Sequence, residues 1–392
     1  MAGAARAREG EHARRVATLS FSEMRRAIFG LLTCVAIIAA CQVDTSGGSP
    51  APTRTPDIKR SKLDIAYTAF VDQDVHHVTS KKALEAALEA VKTEIKSAGG
   101  TADAAAPEFQ DVDEPQIADF NKFAAVVSGL AAKNPQISSD RIADAALAGM
   151  IKASPDCHTQ YLSASGRVYN SSTSAINGAN AALPAQGTSL GGPDEAGLAG
   201  KILPGGIAYI TWRQFIFSGT YKITEKLRGI LDKAVAQGAR GWIFDLRGNL
   251  GGDAVDLTSF FLNGEQTYIV LIKTGTAGTA SGNKDLRLPE QYQLPIVVIV
   301  NGRSASGSEI FALGLKENKR ATIVGQKTVG CVGETIPNRL SDGSEIHVTV
   351  QELVGAATGT KYNNTGIPPD VSADDVTAGD KAIEVLKQKI GQ

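Results

Sequence analysis

The chain has 392 residues, 40 Lys plus Arg against 41 Asp plus Glu, and a formal charge of −1. Such a balance gives no sign of a nucleic-acid or anionic-membrane partner. The composition, 43% hydrophobic, agrees with an ordinary secreted globular protein.

The amino terminus reads as a targeting segment. Met24-Arg25-Arg26 precedes the apolar run Ala27 to Ala40, and the sequence then meets Cys41 and a Ser/Gly/Pro/Thr stretch, Ser46 to Pro56. A basic n-region, a short h-region and the small-small-Cys site Ala39-Ala40-Cys41 predict a secretory signal over 1–40, with Met24 as an alternative start. The run is short for a membrane span, although an uncleaved anchor helix stays open. Cys41 sits where a bacterial lipoprotein box places its acylated cysteine, so 41–56 reads as a lipoprotein linker. Gln42, rather than Asp, leans to the outer membrane of a two-membrane envelope.

Residues 57–155 read as a helical domain. Ser80 is expected to cap Lys81 to Lys96, where Leu84, Leu88, Val91 and Ile95 share one face. Pro115 is expected to open a second helix with Ile117, Phe120, Phe123, Val127 and Leu130. Ser139 is expected to cap a third, with Ile142, Leu147, Met150 and Ile151. These stripes read as core. His76 and His77, in a polar loop, and His347 read as structural. Residues 156–200 hold Asp156-Cys157-His158-Thr159 and then a Gly/Ser/Ala-rich loop.

From 201 to 392 strands and helices alternate. Ile207 to Trp212, Trp242 to Leu246, Tyr268 to Ile272 and Leu294 to Val300 read as strands. Tyr221 to Ala236, Ala254 to Leu262, a segment from Glu309 and Asp380 to Lys389 read as helices. The rhythm predicts an α/β fold with a mostly parallel sheet. Asp342-Gly343 predicts a hairpin between Thr335–Leu340 and Glu345–Val350.

Two strand–turn–helix corners carry candidate chemistry. One is Gly241 to Asp253, ending Asp245-Leu246-Arg247-Gly248-Asn249-Leu250-Gly251-Gly252; the other is Asn301-Gly302-Arg303-Ser304-Ala305-Ser306-Gly307-Ser308-Glu309. A serine at the second corner has helix N-terminal N–H groups beside it, although serines at helix starts are commonly caps. Together with Ala321 to Cys331 and Gly366-Ile367-Pro368-Pro369-Asp370, these segments resemble in order the core of the C-terminal-processing (tail-specific) and tricorn-like serine peptidases. The likeness spans roughly 201–390 and implies a crotonase/ClpP-like βαβ catalytic core. It implies Ser306 as nucleophile, with oxyanion donors from Gly307 and from Gly252 or Gly251.

Two departures accompany the likeness. The 163–200 stretch is far too short for the peptide-binding PDZ domain that many tail-specific peptidases carry there. The lysine that serves as base in that branch corresponds to position 331, which is Cys331, and Lys327 lies four residues, about 13 Å of extended chain, away. The tricorn-like branch uses a histidine, and Asp156-x-His158-Thr159 resembles its stretch, so His158 is implied as base. The orienting glutamate of that branch corresponds to Asn363, with Glu334 and Glu352 as carboxylate alternatives. The resemblance puts Cys157 and Cys331 beside the nucleophile and implies a disulfide there, against the alternative of two free thiols.

The leading expectation is a lipid-anchored extracytoplasmic serine peptidase acting on a peptide or protein substrate. It needs no cofactor or metal, binds no nucleic acid and meets the membrane only through its lipid. A catalytically inactive ligand- or peptide-binding lipoprotein on the same fold is the alternative. A Cys157/His158/Cys331 metal or cysteine site is a third, with no Cys-x-x-Cys spacing behind it.

Overall fold

A computed structural model describes residues 57–171 and 181–391; the signal, Cys41 and the linker lie outside the described residues. The architecture is α/β. A seven-stranded sheet runs in the order Val371–Ser372, Ala321–Gly325, Ile296–Val300, Gly241–Asp245, Ile207–Thr211, Ala199–Leu203, Thr188–Gly191. The first five are parallel to their neighbours, and the last two pairings are antiparallel.

Both faces of this sheet are covered, as parallel strands require. Alternate residues divide between the faces. Ala208, Ile210, Trp242, Phe244, Ile296, Val298 and Ile323 pack with Leu227, Ile230 and Phe311 of the helices Ile223–Ala236 and Gly307–Glu317. Ile207, Tyr209, Ile243, Val297, Ile299 and Val324 pack with Ala378, Ala382 and Leu386 of the helix Ala378–Lys389. Trp212 sets edge contacts to Phe215, Phe244 and Phe311 at centroid distances of 5.3, 5.7 and 5.9 Å. Phe311 thereby fixes the helix that begins just after Ser306 to the sheet beneath it.

A second, antiparallel sheet is built on the long strand Glu345–Gly355, which pairs with Gly333–Arg339, Gln266–Ile272 and Gln160–Leu162. The helices Arg60–Gln73, Ser80–Ser97, Ile117–Lys133 and Ser139–Met150 bury their apolar residues in one cluster with Tyr161, Ile346 and Val348 of that sheet and Leu340 of its hairpin turn. Lys62, 2% exposed, reinforces the junction through Asp144 at 2.8 Å and Asp342 at 2.9 Å. Among the described residues no helix is long and apolar enough to cross a membrane.

Several boundaries differ from expectation. The helix Arg60–Gln73 had no clear cap or strong stripe to announce it. Thr79, not Ser80, caps the next helix by accepting Lys82 N–H, and Ser80 Oγ instead meets Tyr67 OH at 2.6 Å. Ser138, not Ser139, caps the fourth. In each case the residue one step earlier keeps the extended backbone that a cap needs. Ala254 to Leu262 holds only the short helix Val255–Ser259.

Candidate active site

Ser306 stands at the turn between the strand Ile296–Val300 and the helix Gly307–Glu317, with φ 53° and ψ −118°. A non-glycine residue in that region is strained by about 1–3 kcal/mol and persists only where its surroundings over-determine it. The next residue begins the helix, so its N–H has no intrahelical acceptor. The 249–252 turn presses directly against this corner. A Cβ on Gly251 would lie 2.6 Å from Ser306 Cβ and 2.5 Å from Gly307 N; one on Gly307 would lie 2.8 Å from Gly252 N. Only glycine permits this approach.

The expected pair of alternatives, Gly251 or Gly252, is separated by hydrogen bonding. Gly251 N–H donates to Asn249 Oδ1 at 2.8 Å. Among the described bonds none uses the N–H of Gly252 or of Gly307. Ser304 and Ser308 are buried and occupied: Ser304 Oγ donates to Leu246 O at 2.8 Å, and Ser308 Oγ to Ala305 O at 2.8 Å.

His158 lies on the segment that leads into the strand Gln160–Leu162. Its Nδ1 is 3.3 Å from Asp156 Oδ1, and its Nε2 is buried with no hydrogen-bond partner. Asp156 is fully buried and completely engaged. Oδ1 accepts His158 N–H at 2.6 Å and the Thr349 hydroxyl at 2.7 Å; Oδ2 accepts Asn363 Nδ2 at 2.7 Å and lies 3.4 Å from His76 Nε2. Burial alone would raise its pKa, but hydrogen bonds from His158, His76 and Asn363 and the His158 charge outweigh it and hold the carboxyl far below its usual range.

Asn363 therefore does not meet His158. It donates to Asp156, lies 3.3 Å from His76 Nε2, and accepts Val332 N–H on Oδ1 at 2.9 Å. An amide cannot balance an imidazolium charge, whereas the aspartate two residues before His158 can. Glu352 is paired with Lys361 at 2.8 Å, and Glu334 lies on the strand Gly333–Arg339 opposite Gln351. Sequence alone gives Asp156 no role of its own and makes His76 a structural residue. The spacing Asp156-x-His158 was the available signal for the first; nothing in the sequence pointed to the second. Burial opposes a charge on His76, but Asp156, Asp74 and Glu352 together raise its pKa.

Cys157 and Cys331 are joined as a disulfide, with Cα atoms 5.8 Å apart across 174 residues. Asp156, Cys157 and His158 offer atoms within 4.8 Å of one another as a possible metal set, but the bridge takes the Cys157 sulfur. Cys331 N–H donates to Glu309 Oε2 at 2.8 Å, and Ser306 N–H donates to the same oxygen at 3.0 Å. The serine corner and the histidine segment are thus joined through one carboxylate and one bridge.

Residues 206–373 match the model of peptidase family S41. The matched segment contains Ser306, Gly251, Gly252, Cys331 and Asn363, while His158 and Asp156 precede it. The chain is 30% identical over 154 residues to a carboxy-terminal processing protease of Bacillus subtilis, covering 38% of this chain and 32% of that protein. It is 34% identical over 147 residues to a carboxyl-terminal-processing protease of Synechocystis, covering 37% and 33%. It thus spans about a third of the length of these curated relatives. Among solved structures, a photosystem II D1 C-terminal processing protease aligns at TM-score 0.39 and 25% identity, over 47% of this chain and 48% of that one. A putative peptidase from Parabacteroides merdae aligns at 0.48 and 18% identity, over 79% and 96%.

Proposed function

We propose that the protein is a serine peptidase hydrolysing peptide bonds of a peptide or protein substrate, with Ser306 as nucleophile and His158 as general base. The observation that carries this reading is the Asp156–His158 pair: one imidazole nitrogen faces a buried carboxylate, and the other is buried and unsatisfied. A serine hydroxyl needs a base to take its proton, and a base needs an orienting acid. His158 Nε2 takes the Ser306 proton as Oγ attacks the scissile carbonyl. Asp156 holds the imidazole and balances its positive charge. The N–H groups of Gly307 and Gly252 receive the developing oxyanion, a term commonly worth several kcal/mol. His158 then protonates the leaving amine, and water releases the acyl group by the reverse sequence. Histidine here takes the part that the lysine absent from position 331 would play.

In this reading Cys41 carries lipid and holds the enzyme outside the cytoplasmic membrane. The Ala39-Ala40-Cys41 site and the following polar linker support it. Metabolic labelling with a palmitate analogue is expected on the wild-type protein and absent from Cys41→Ser; label retained in the variant contradicts the anchor. The catalytic reading is tested with an unstructured protein substrate. His158→Ala is expected to lower turnover by at least ~10²-fold; near-native turnover removes His158 from the mechanism.

A further inference from the structure

Glu309 has no surface role. It is fully buried two residues into the helix Gly307–Glu317, and among the described residues no lysine, arginine or histidine pairs with it. An unpaired buried carboxylate is costly unless donors converge on it. Four do. Oε2 accepts Ser306 N–H at 3.0 Å and Cys331 N–H at 2.8 Å; Oε1 accepts Gly330 N–H at 2.8 Å and the Thr328 hydroxyl. Thr328 Oγ1 in turn accepts Ile367 N–H at 2.7 Å. The Ser306 contact is the N-cap half of a capping box, and an apolar side chain of similar volume would leave these four donors without this acceptor.

We propose that Glu309 is a positioning residue, which turns the Ser306 backbone into its attacking conformation and sets it in register with the disulfide-tethered His158. Drawing the Ser306 N–H inward fixes the strained φ of 53°. It also leaves the adjacent Gly307 N–H free to face an oxyanion. The same oxygen clamps Cys331, whose disulfide partner Cys157 immediately precedes His158. One carboxylate thereby aligns nucleophile, oxyanion donor and base. The inference rests on Ser306 being the nucleophile.

The test measures the rate of Ser306 labelling by a fluorophosphonate in wild type, Glu309→Gln, Thr328→Val and Thr328→Ser, with melting temperature and free-thiol content measured alongside. Glutamine brings an NH2 among N–H donors, and misplacement of about 1 Å predicts labelling slower by ~10²-fold in protein that remains folded and bridged. Thr328→Val removes one donor while keeping volume and is expected to slow labelling about tenfold, with Thr328→Ser restoring it. Rates within about threefold of wild type in folded Glu309→Gln and Thr328→Val, below half a decade of effect, overturn the proposal. So do rates that fall only in step with the folded fraction. If Glu309→Gln does not fold, the Val/Ser pair decides alone. Wild-type protein that takes no label at Ser306 is a different failure, removing the nucleophile and this role with it.

Discussion

Asn363 Nδ2 donates a 2.7 Å hydrogen bond to Asp156 Oδ2, so the amide steadies the acid and leaves the imidazole to it. Asp156→Asn is expected to keep the shape of the site but lose the charge that balances His158. Turnover should fall ~10²–10⁴-fold, the range seen when a triad aspartate is neutralised elsewhere. Asn363→Asp places a second carboxylate against Asp156, and one of the two must then take up a proton. Steady-state kinetics on both variants checks this, and unchanged kcat in Asp156→Asn removes the acid from the mechanism.

Three serines share the corner between the strand Ile296–Val300 and the helix Gly307–Glu317, and they should separate cleanly. Ser306→Ala loses labelling and hydrolysis without loss of stability. Ser304→Ala keeps labelling but costs about 1–2 kcal/mol, since it orphans Asn301 N–H in the interior, while Leu246 O keeps Asn249 N–H. Ser308→Ala also keeps labelling. Mass mapping of the modified peptide, with urea unfolding of each variant, reads both effects.

The Cys157–Cys331 bridge closes a loop of 174 residues. In the chain-entropy model that constraint is worth up to ~5 kcal/mol. The Cys157→Ser/Cys331→Ser double variant should melt lower and label more slowly, because the His158 segment loses its tether to the Ser306 corner. Peptide mapping without reductant should recover the bridged peptides. Two thiols alkylated under native conditions would contradict it.

His76 gives a pH signature. Its pKa is raised in the folded state, so protonated His76 stabilises the fold. That contribution is fully present below the ordinary histidine value of about 6.5 and is lost as pH rises through the raised folded value. Melting temperature should therefore fall across this alkaline-going window in wild type and stay flatter in His76→Gln. Parallel profiles would exclude His76 as the source.

The core strands and the serine corner were legible because short apolar runs ending in small-residue turns have few other solutions. Strand–helix alternation gave the parallel sheet for the same reason. Asp156 was written in the sequence two residues before His158, yet its role depends on Thr349 and Asn363, which only folding brings to it. His76 is more distant still: it reaches Asp156 from a loop between the helices Arg60–Gln73, which has no strong stripe, and Ser80–Ser97, whose stripe announces only core. Glu309 looked like a first-turn glutamate, a common helix-start residue, and only its burial distinguishes it. Spacing along the chain reports elements; convergence of side chains from 76, 156, 349 and 363 it does not report.

One measurement tests Ser306–His158 catalysis most directly: fluorophosphonate labelling of the full-length protein, mapped by mass spectrometry, in wild type, Ser306→Ala and His158→Ala. A single adduct on Ser306 is predicted, absent in Ser306→Ala and slowed by at least ~10²-fold in His158→Ala. An adduct that survives Ser306→Ala, or a folded wild-type protein that takes none, would contradict a Ser306–His158 peptidase.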